Sequence, residues 1–194
     1  MPSTAEQLDI SPEDYLAGEK LADIRHEYIN GEVYAMAGAG DAHVKAALNI
    51  ASLLKNHTRG SGCSTYMSDM KVKVADDEAF FYPDVMVCCE DSDKQQNYVK
   101  QHPLIIIEVL SSSTEAFDRG KKFAYYRKIN SLREYVLINP KQYQVDIFRL
   151  NDKARWELFS LNDAKAIFTL ESLGFECDVQ DIYDDIDFTA TYID

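Results

Sequence analysis

The sequence predicts an α/β (α+β) fold in which helices flank a mixed central β-sheet. Three observations point to it. The segments follow the order helix, strands, helix, strands; residues 104–110 form an almost uninterrupted apolar strand; and a helical pattern separates that strand from the next one at 135–138. Parallel strands need such a crossover, because a short turn cannot join them. An N-terminal helix with a β-hairpin and a β-rich C-terminal extension complete the expected architecture.

The N-terminal segment predicts a short helix followed by a hairpin. Ser11 can cap a helix that begins with proline and carries acids in its positive first turn, so we expect a helix over 12–22. Asn30 and Gly31 lie between two β-favouring runs. Both central residues of a type I′ hairpin turn need φ > 0, and Asn-Gly adopts this conformation readily. Residues 25–36 should therefore form two strands joined by this turn.

Two longer helices are predicted further along the chain. A helix of about 16 residues begins near Asp41 and ends before Gly60, because apolar residues recur there at helical spacing. The sequence Ser-Ser-Thr-Glu at 112–115 fits a capping box that opens another helix over about 115–129. The buried stripe of the first of these helices should consist of Val44, Ala47, Leu48, Ala51 and Leu54.

Strands are predicted where β-branched and aromatic residues concentrate. Residues 70–74 alternate between apolar and polar side chains, and 80–88 is a second β-rich run. The strand 104–110 should be central in the sheet, since it is apolar on both faces. The polar stretch 90–102 is interpreted as a surface loop.

Composition indicates one domain, residues 1–194, with a core over about 25–150. The chain is 46% hydrophobic and 27% charged, which is typical of a folded globular protein. No apolar run approaches the roughly 20 residues of a membrane helix, and the N-terminus lacks the features of a signal peptide. We therefore expect a cytoplasmic protein without a membrane partner.

The four cysteines are interpreted as packing thiols. They form no C-x-x-C pair, and the two adjacent ones should point to opposite faces of a strand. Neither a zinc site nor a disulfide framework is expected from Cys63, Cys88, Cys89 and Cys177.

The charge distribution leaves a nearly neutral body with acidic ends. The formal net charge is −13, and the tail 176–194 alone carries seven acids and no base. This balance argues against a protein that holds nucleic acid by bulk electrostatics. Any contact with nucleic acid would be weak and salt-dependent, and it would depend on the base-rich segment 119–133 and on Lys71 or Lys73.

Two acids lie where a carboxylate is unusual. Glu108 interrupts the apolar strand 104–110, where an unpaired charge costs several kcal/mol. A salt bridge or an outward position on an edge strand would explain Glu108. The second acid, Asp84, could be an ordinary turn residue. Two carboxylates that converge from neighbouring strands would instead supply hard oxygen ligands for Mg²⁺ or Mn²⁺.

Motifs for other chemistries are missing from the sequence. It contains no G-x-S-x-G elbow, no P-loop and no G-x-G-x-x-G, and its four histidines do not repeat at metal-ligand spacing. Nucleophilic hydrolases and nucleotide-binding enzymes are therefore disfavoured.

The pair Pro83-Asp84 with Glu108, 24 residues after the aspartate, resembles the PD-(D/E)XK nuclease superfamily. The usual lysine, two residues after the second acid, is replaced by Leu110, and the following helix offers Lys121 and Lys122 instead. Five spaced blocks resemble the Uma-type family of restriction endonucleases, whose fold is a restriction-endonuclease-like core. They begin at residues 27, 68, 82, 108 and 118: EYINGE, SDMKV, YPDV, EVLS and DRGKK.

The resemblance implies a role for each matched position. Asp84 and Glu108 would be catalytic residues that bind the metal. Lys122 would orient or activate water, and Glu32 would be a further acidic residue of the catalytic site. Lys122 is preferred because the family's lysine stands four residues after the aspartate of the Asp-Arg-Gly block, although Lys121 remains a candidate. A solvated helix face is the alternative for both lysines. His43 would be a neighbour of the site or a structural hydrogen-bonding residue.

These residues lead to one functional hypothesis and one rival. The first is a Mg²⁺-dependent endodeoxyribonuclease, with Arg119, Lys121 and Lys71 as candidate contacts to the nucleic acid. The rival is a nucleic-acid or protein binding module that keeps the nuclease fold but does not cut, because fold alone does not establish function. A homodimer is compatible with either hypothesis.

Overall fold

The computed structural model describes residues 9–189, and the elements named here lie within that range. The helices are α1 (Pro12–Glu19), α2 (Asp41–His57), α3 (Asp91–Lys94), α4 (Glu115–Phe117), α5 (Phe123–Tyr126) and α6 (Val179–Ile182), and a π-helical turn spans Asp118–Lys122. The strands are β1 (His26–Ile29), β2 (Glu32–Ala35), β3 (Ser64–Met67), β4 (Lys71–Val74), β5 (Ala79–Phe81), β6 (Val85–Cys88), β7 (Val99–Lys100), β8 (Pro103–Val109), β9 (Glu134–Ile138), β10 (Val145–Leu150), β11 (Trp156–Leu161), β12 (Ile167–Leu170) and β13 (Phe175–Asp178).

A six-stranded mixed sheet in the order β11-β10-β9-β8-β6-β3 forms the centre of the fold. Strands β8 and β9 are parallel neighbours, joined by α4, the π-helical turn and α5, which confirms the predicted crossover and the central position of 104–110. A second sheet has the order β2-β1-β5-β4-β7, and β12 with β13 forms a hairpin. The predicted N-terminal hairpin is confirmed, with Asn30 and Gly31 both at positive φ.

The central sheet separates two apolar clusters, because successive strand residues face opposite sides. On one side Ile105, Ile107 and Val109 of β8 pack with α2, α6 and the β12–β13 hairpin. On the other side Ile106 packs with the crossover segment and the second sheet. The alternation places Glu108 on the same side as Ile106, so this acid points towards the crossover.

Several predicted elements differ from the structure at positions where local pattern competes with tertiary contacts. The first helix ends at Glu19, and the expected helix 115–129 is interrupted by the π-helical turn. The run 80–88 divides between β5 and β6, which belong to different sheets, because Pro83 has no N–H for a ladder. The predicted loop 90–102 contains α3 and β7.

The buried face of α2 is rotated relative to the expected stripe. Ala47, Ala51 and Leu54 are buried as predicted, whereas Val44 and Leu48 are exposed. The predicted stripe was wrong at those two positions because small alanines, not the larger apolar residues, allow the helix to lie close to the sheet. The residues that complete the buried face are Ala42, Ala46 and Ile50.

The interpretation of all four cysteines as free thiols was wrong for one pair. Cys63 and Cys89 form a disulfide. Cys63 precedes β3 and Cys89 follows β6, and the antiparallel register that pairs Ser64 with Cys88 brings them together at the next position. Cys88 and Cys177 are free, and Cys88 is buried.

The acidic C-terminal segment is not a free tail over its described part. Residues 175–178 form β13, and α6 follows directly. Val179, Ile182 and Tyr183 are buried in the cluster on the α2 side of the central sheet. Within residues 9–189, no helix combines the length and the apolar character needed to cross a bilayer.

Candidate functional site

Glu108 lies at the centre of a buried group of charged side chains. Lys122 Nζ lies 2.9 Å from Glu108 Oε1, and the Tyr126 hydroxyl donates to the same oxygen at 2.8 Å. Both partners come from the crossover that follows β8. The alternation of side chains along β8 therefore points Glu108 towards the segment that carries Lys122, its positively charged partner.

Asp84 lies beside Glu108 where the chain passes from β5 to β6. Its backbone N–H donates to Glu108 Oε2 at 3.4 Å, and its own Oδ2 accepts from the backbone N–H of Val109 at 2.7 Å. The pairing of Val85 with Ile107, continued by one residue, sets Asp84 opposite Glu108. The two carboxylates are thus neighbours, held by the ladder of the central sheet.

His43 holds the other oxygen of Asp84. It lies in the first turn of α2, and its Nε2 is 3.0 Å from Asp84 Oδ1. Because a carboxylate only accepts, Nε2 carries the proton in this contact and the imidazole orients the carboxylate. His43 Nδ1 is buried and has no hydrogen-bond partner among residues 9–189.

Lys122 and Lys121 differ in environment although they are adjacent. Lys122 is buried, with its Nζ 3.0 Å from Glu27 Oε1 and 3.7 Å from Asp118 Oδ1, whereas Lys121 is exposed. Consecutive helical residues point about 100° apart, so only one of the two can face the carboxylates. The structure brings Lys122 into the group and leaves Lys121 at the surface.

Glu27, not Glu32, is the acid that the first hairpin contributes. Glu27 Oε1 pairs with Lys122 and also accepts from the backbone N–H of Tyr82 at 3.3 Å. Glu32 is exposed and accepts a hydrogen bond from the Tyr34 hydroxyl. Glu27 and Glu32 share one face of the hairpin, but β1 is an inner strand of its sheet and β2 is the edge strand, a distinction that the sequence does not carry.

The predicted contacts to nucleic acid have different surroundings. Lys71 is buried, with its Nζ donating to the Tyr82 hydroxyl at 2.9 Å, and burial lowers its pKa. Arg119 binds Glu115 and Asp146, at 2.8 and 2.7 Å. Only Lys121 of the three predicted residues is a solvent-exposed cation, so the structure does not bring Lys71 to a surface where a phosphate could reach it.

Burial dominates the electrostatics of this group. Burial, together with repulsion from Asp84 and against the attraction of Lys122, raises the pKa of Glu108 to about 8. Burial also raises the pKa of Asp118. For Lys122, burial opposes protonation, but the attraction of Glu108, Glu27 and Asp118 outweighs it and raises the pKa well above the ordinary value. A buried cation is therefore held among three acids.

The donor set suits a hard divalent cation that keeps part of its water shell. Asp84 and Glu108 offer carboxylate oxygens from neighbouring strands, and Mg²⁺ is usually bound through one or two carboxylates plus substrate phosphates. The described residues contain no group of three or more His, Cys, Asp or Glu side chains arranged as a complete metal cage. The two carboxylates would therefore bind the cation in an open site, where water and substrate phosphate supply the remaining ligands.

Comparison with known proteins agrees with this architecture. The sequence profile of the Uma2 family, described as "Putative restriction endonuclease", matches residues 12–180. The chain belongs to the Uma2 family. That family description supports a nuclease that acts on nucleic acid.

Two Synechocystis proteins and one crystal structure are similar to this Uma2 chain. The uncharacterized protein slr1290 is 33% identical over 90% of this chain and 91% of its own length. The uncharacterized protein sll1609 is 36% identical over 76% of this chain and 85% of its own length. The fold matches a crystal structure titled as a putative nuclease of DUF820 from Anabaena variabilis, with TM-score 0.73 and 17% identity over 90% of this chain and 97% of that one.

Proposed function

We propose that this protein is a metal-dependent endonuclease that hydrolyses DNA phosphodiester bonds. The observation that carries the proposal is the convergence of Asp84, Glu108 and Lys122, with Lys122 Nζ 2.9 Å from Glu108. Membership of the Uma2 family supports it. A merely structural ion pair would not need a second carboxylate held beside it by both a backbone N–H and a histidine.

Asp84 and Glu108 would hold Mg²⁺, or Mn²⁺ in its place. When bound, such an ion lowers the pKa of a coordinated water and neutralises charge that develops at phosphorus. His43 keeps Asp84 oriented through Oδ1, and Val109 N–H keeps it oriented through Oδ2. Both interactions act on the ligand before any substrate arrives.

Lys122 would position the attacking water and donate to a phosphate oxygen. Its ammonium offers three donors, and the structure already directs it at Glu108 and Glu27. Asp118, one helical turn earlier, keeps the ammonium from leaving the group. Because these partners are buried, they hold the lysine charged at neutral pH and exclude bulk water around it.

Plasmid cleavage tests the proposal. Supercoiled DNA is incubated with the protein and Mg²⁺ or Mn²⁺, at low salt because of the acidic net charge, with EDTA as the metal-free arm. We expect nicked and linear products from the parent and from Asp152→Asn, an exposed control, and none from Asp84→Asn or Glu108→Gln. An RNA substrate of equal length tests the preference for DNA.

Two results would contradict the proposal. Cleavage by either site variant at the parental rate would exclude Asp84 or Glu108 from the chemistry. DNA binding by the parent with no cleavage under any metal would favour the rival binding module. Melting temperatures of all variants, measured without metal, show whether each one is folded.

A further inference from the structure

The rim of the site carries an exposed aromatic ring that the catalytic group does not use. Tyr34 lies in β2, directly opposite Glu27 in the antiparallel pair with β1. Opposite residues of such a pair share one face, with Cβ atoms about 4.5–5.5 Å apart. Since Glu27 Oε1 is 3.0 Å from Lys122 Nζ, Tyr34 shares the hairpin face that carries Glu27 to the site.

Exposure distinguishes this ring from Tyr28, the other tyrosine of the hairpin, which is buried. Tyr34 is 46% exposed, and Met36, which directly follows β2, is 37% exposed. Arg25 lies opposite Met36, which donates its backbone N–H to the Arg25 carbonyl. Tyr34, Met36 and Arg25, whose Nε donates to Asp69 Oδ1 at 3.2 Å, therefore form one accessible strip on this side of the hairpin.

The strip is fixed in place before any ligand binds. The Tyr34 hydroxyl donates to Glu32, two residues away on the same face. On the opposite face of the hairpin, Tyr28 packs on Tyr15 of α1, with ring centroids 5.1 Å apart. β2 is the terminal strand of its sheet, so no further strand covers the ring.

We infer that Tyr34 is a stacking platform for an unpaired nucleobase next to the scissile phosphate. The inference rests on the proposed nuclease function and names its substrate class: DNA that is single-stranded or locally unpaired at the cleavage position. In an intact duplex the bases stack on each other and offer no free face. An aromatic ring beside the phosphate-handling group therefore selects a base that has left the stack.

The charge of the protein gives this contact a further purpose. With a net charge of −13, and with Lys71 buried and Arg119 paired to acids, little of the binding energy can come from phosphate neutralisation. Stacking on an aromatic ring does not depend on charge and is worth enough per base to change affinity about 5- to 150-fold. Affinity for unpaired DNA should therefore persist at salt concentrations where duplex binding is lost.

Fluorescence of an oligonucleotide with a single 2-aminopurine tests the inference, in EDTA so that no cleavage occurs. Parent, Tyr34→Leu, Tyr34→Phe and the control Tyr98→Leu are titrated; Tyr98 is 63% exposed and lies outside the site. We expect the parent, Tyr34→Phe and the control to quench 2-aminopurine in single strands. Tyr34→Leu should lose the quenching and bind single strands about 5- to 150-fold more weakly.

The outcomes separate this inference from the nuclease proposal. Parental binding by Tyr34→Leu, an equal loss on a fully paired duplex, or an equal loss in Tyr34→Phe would overturn the stacking role. Cleavage by the parent with Mg²⁺, measured in parallel, tests the nuclease function by itself. Ring-dependent quenching without cleavage would support the stacking surface and contradict the nuclease.

Discussion

The adjacent residues Lys121 and Lys122 make the catalytic assignment testable at the level of single side chains. Lys122 is buried among three acids and Lys121 is exposed. We expect Lys122→Ala to lower single-turnover cleavage by about 100-fold or more with DNA saturating, because it removes a charge fixed beside the reacting group. Lys121→Ala, the matched control, should change binding more than turnover.

Lys122→Arg extends this comparison. A guanidinium keeps the positive charge, but its planar shape differs from that of a compact ammonium. Compared with Lys122→Ala, Lys122→Arg should therefore recover more of the folding stability than of the turnover rate. Melting temperatures identify any loss of fold. Parental turnover in Lys122→Ala, with only weakened DNA binding, would remove the lysine from the chemistry.

Glu108 makes a prediction about pH. Burial raises its pKa from 4.5 to about 8, so the folded state binds this proton more tightly than the unfolded chain. The contribution of this tighter proton binding to the free energy of unfolding is fully present below about pH 4.5. It is lost as pH rises through about 8. In metal-free buffer, the difference in unfolding free energy between Glu108→Gln and the parent should therefore grow in favour of the variant across this range.

Urea unfolding at pH 5, 6, 7 and 8 measures that difference. The control Asp152→Asn should parallel the parent at every pH, because the residue is exposed. A difference between Glu108→Gln and the parent that is constant from pH 5 to 8 would contradict a raised pKa at this position.

At the level of elements, the disulfide between Cys63 and Cys89 joins the edge strand β3 to β6. The bond closes a loop with a sequence separation of 26 residues. A cross-link over a loop of that size is worth about 3.5 kcal/mol through the entropy of the unfolded chain. Reduction should therefore lower the melting temperature by several degrees, and Cys63→Ser should melt at the same temperature with and without reductant.

Cys177→Ser is the control for that measurement, since Cys177 is free. It should keep the parental sensitivity to reductant. Because Ser68 N–H donates to the carbonyl of Asp84 at the other end of the same strand pair, plasmid cleavage before and after reduction also shows whether the cross-link supports the site. Equal melting temperatures for the oxidised and reduced parent would contradict the stabilising role.

At the level of the whole molecule, the acidic C-terminal segment lies against the helix that carries His43. Lys45 of α2 donates to the carbonyl of Asp185 and pairs with its carboxylate. Truncation from residue 176 would remove buried apolar residues together with the charges, so it is a poor test of electrostatics. Replacing exposed acids with amides keeps the packing.

Asp181→Asn combined with Asp184→Asn should strengthen DNA binding at low salt. Both residues are exposed, and the double variant is two charges less negative. The Debye length falls from about 30 Å at 0.01 M salt to about 8 Å at 0.15 M, so the gain should fade as salt rises. Fluorescence polarisation over this range measures it, and equal affinities at every salt concentration would show that these charges do not act on bound DNA.

Sequence patterns predicted the elements whose signals are local. The Asn30-Gly31 turn, the central strand 104–110 and its helical crossover each depend on a few adjacent residues. The prominence of Glu108 is of the same kind, because a charge within an apolar strand is visible without any partner. The resemblance to a nuclease family implied the roles of Asp84 and Lys122.

Tertiary structure decided what depends on residues far apart in the chain. The choice of Glu27 over Glu32, the bond between Cys63 and Cys89, and the burial of Lys71 follow from strand register and sheet order. A side chain's chemistry is set by the groups that pack around it, and those groups come from segments tens of residues away. The sequence by itself therefore determined the hairpin turn, the central strand with its crossover and the residue types of the site. Packing decided which charges meet, because only the folded chain brings β1, β8 and the crossover together.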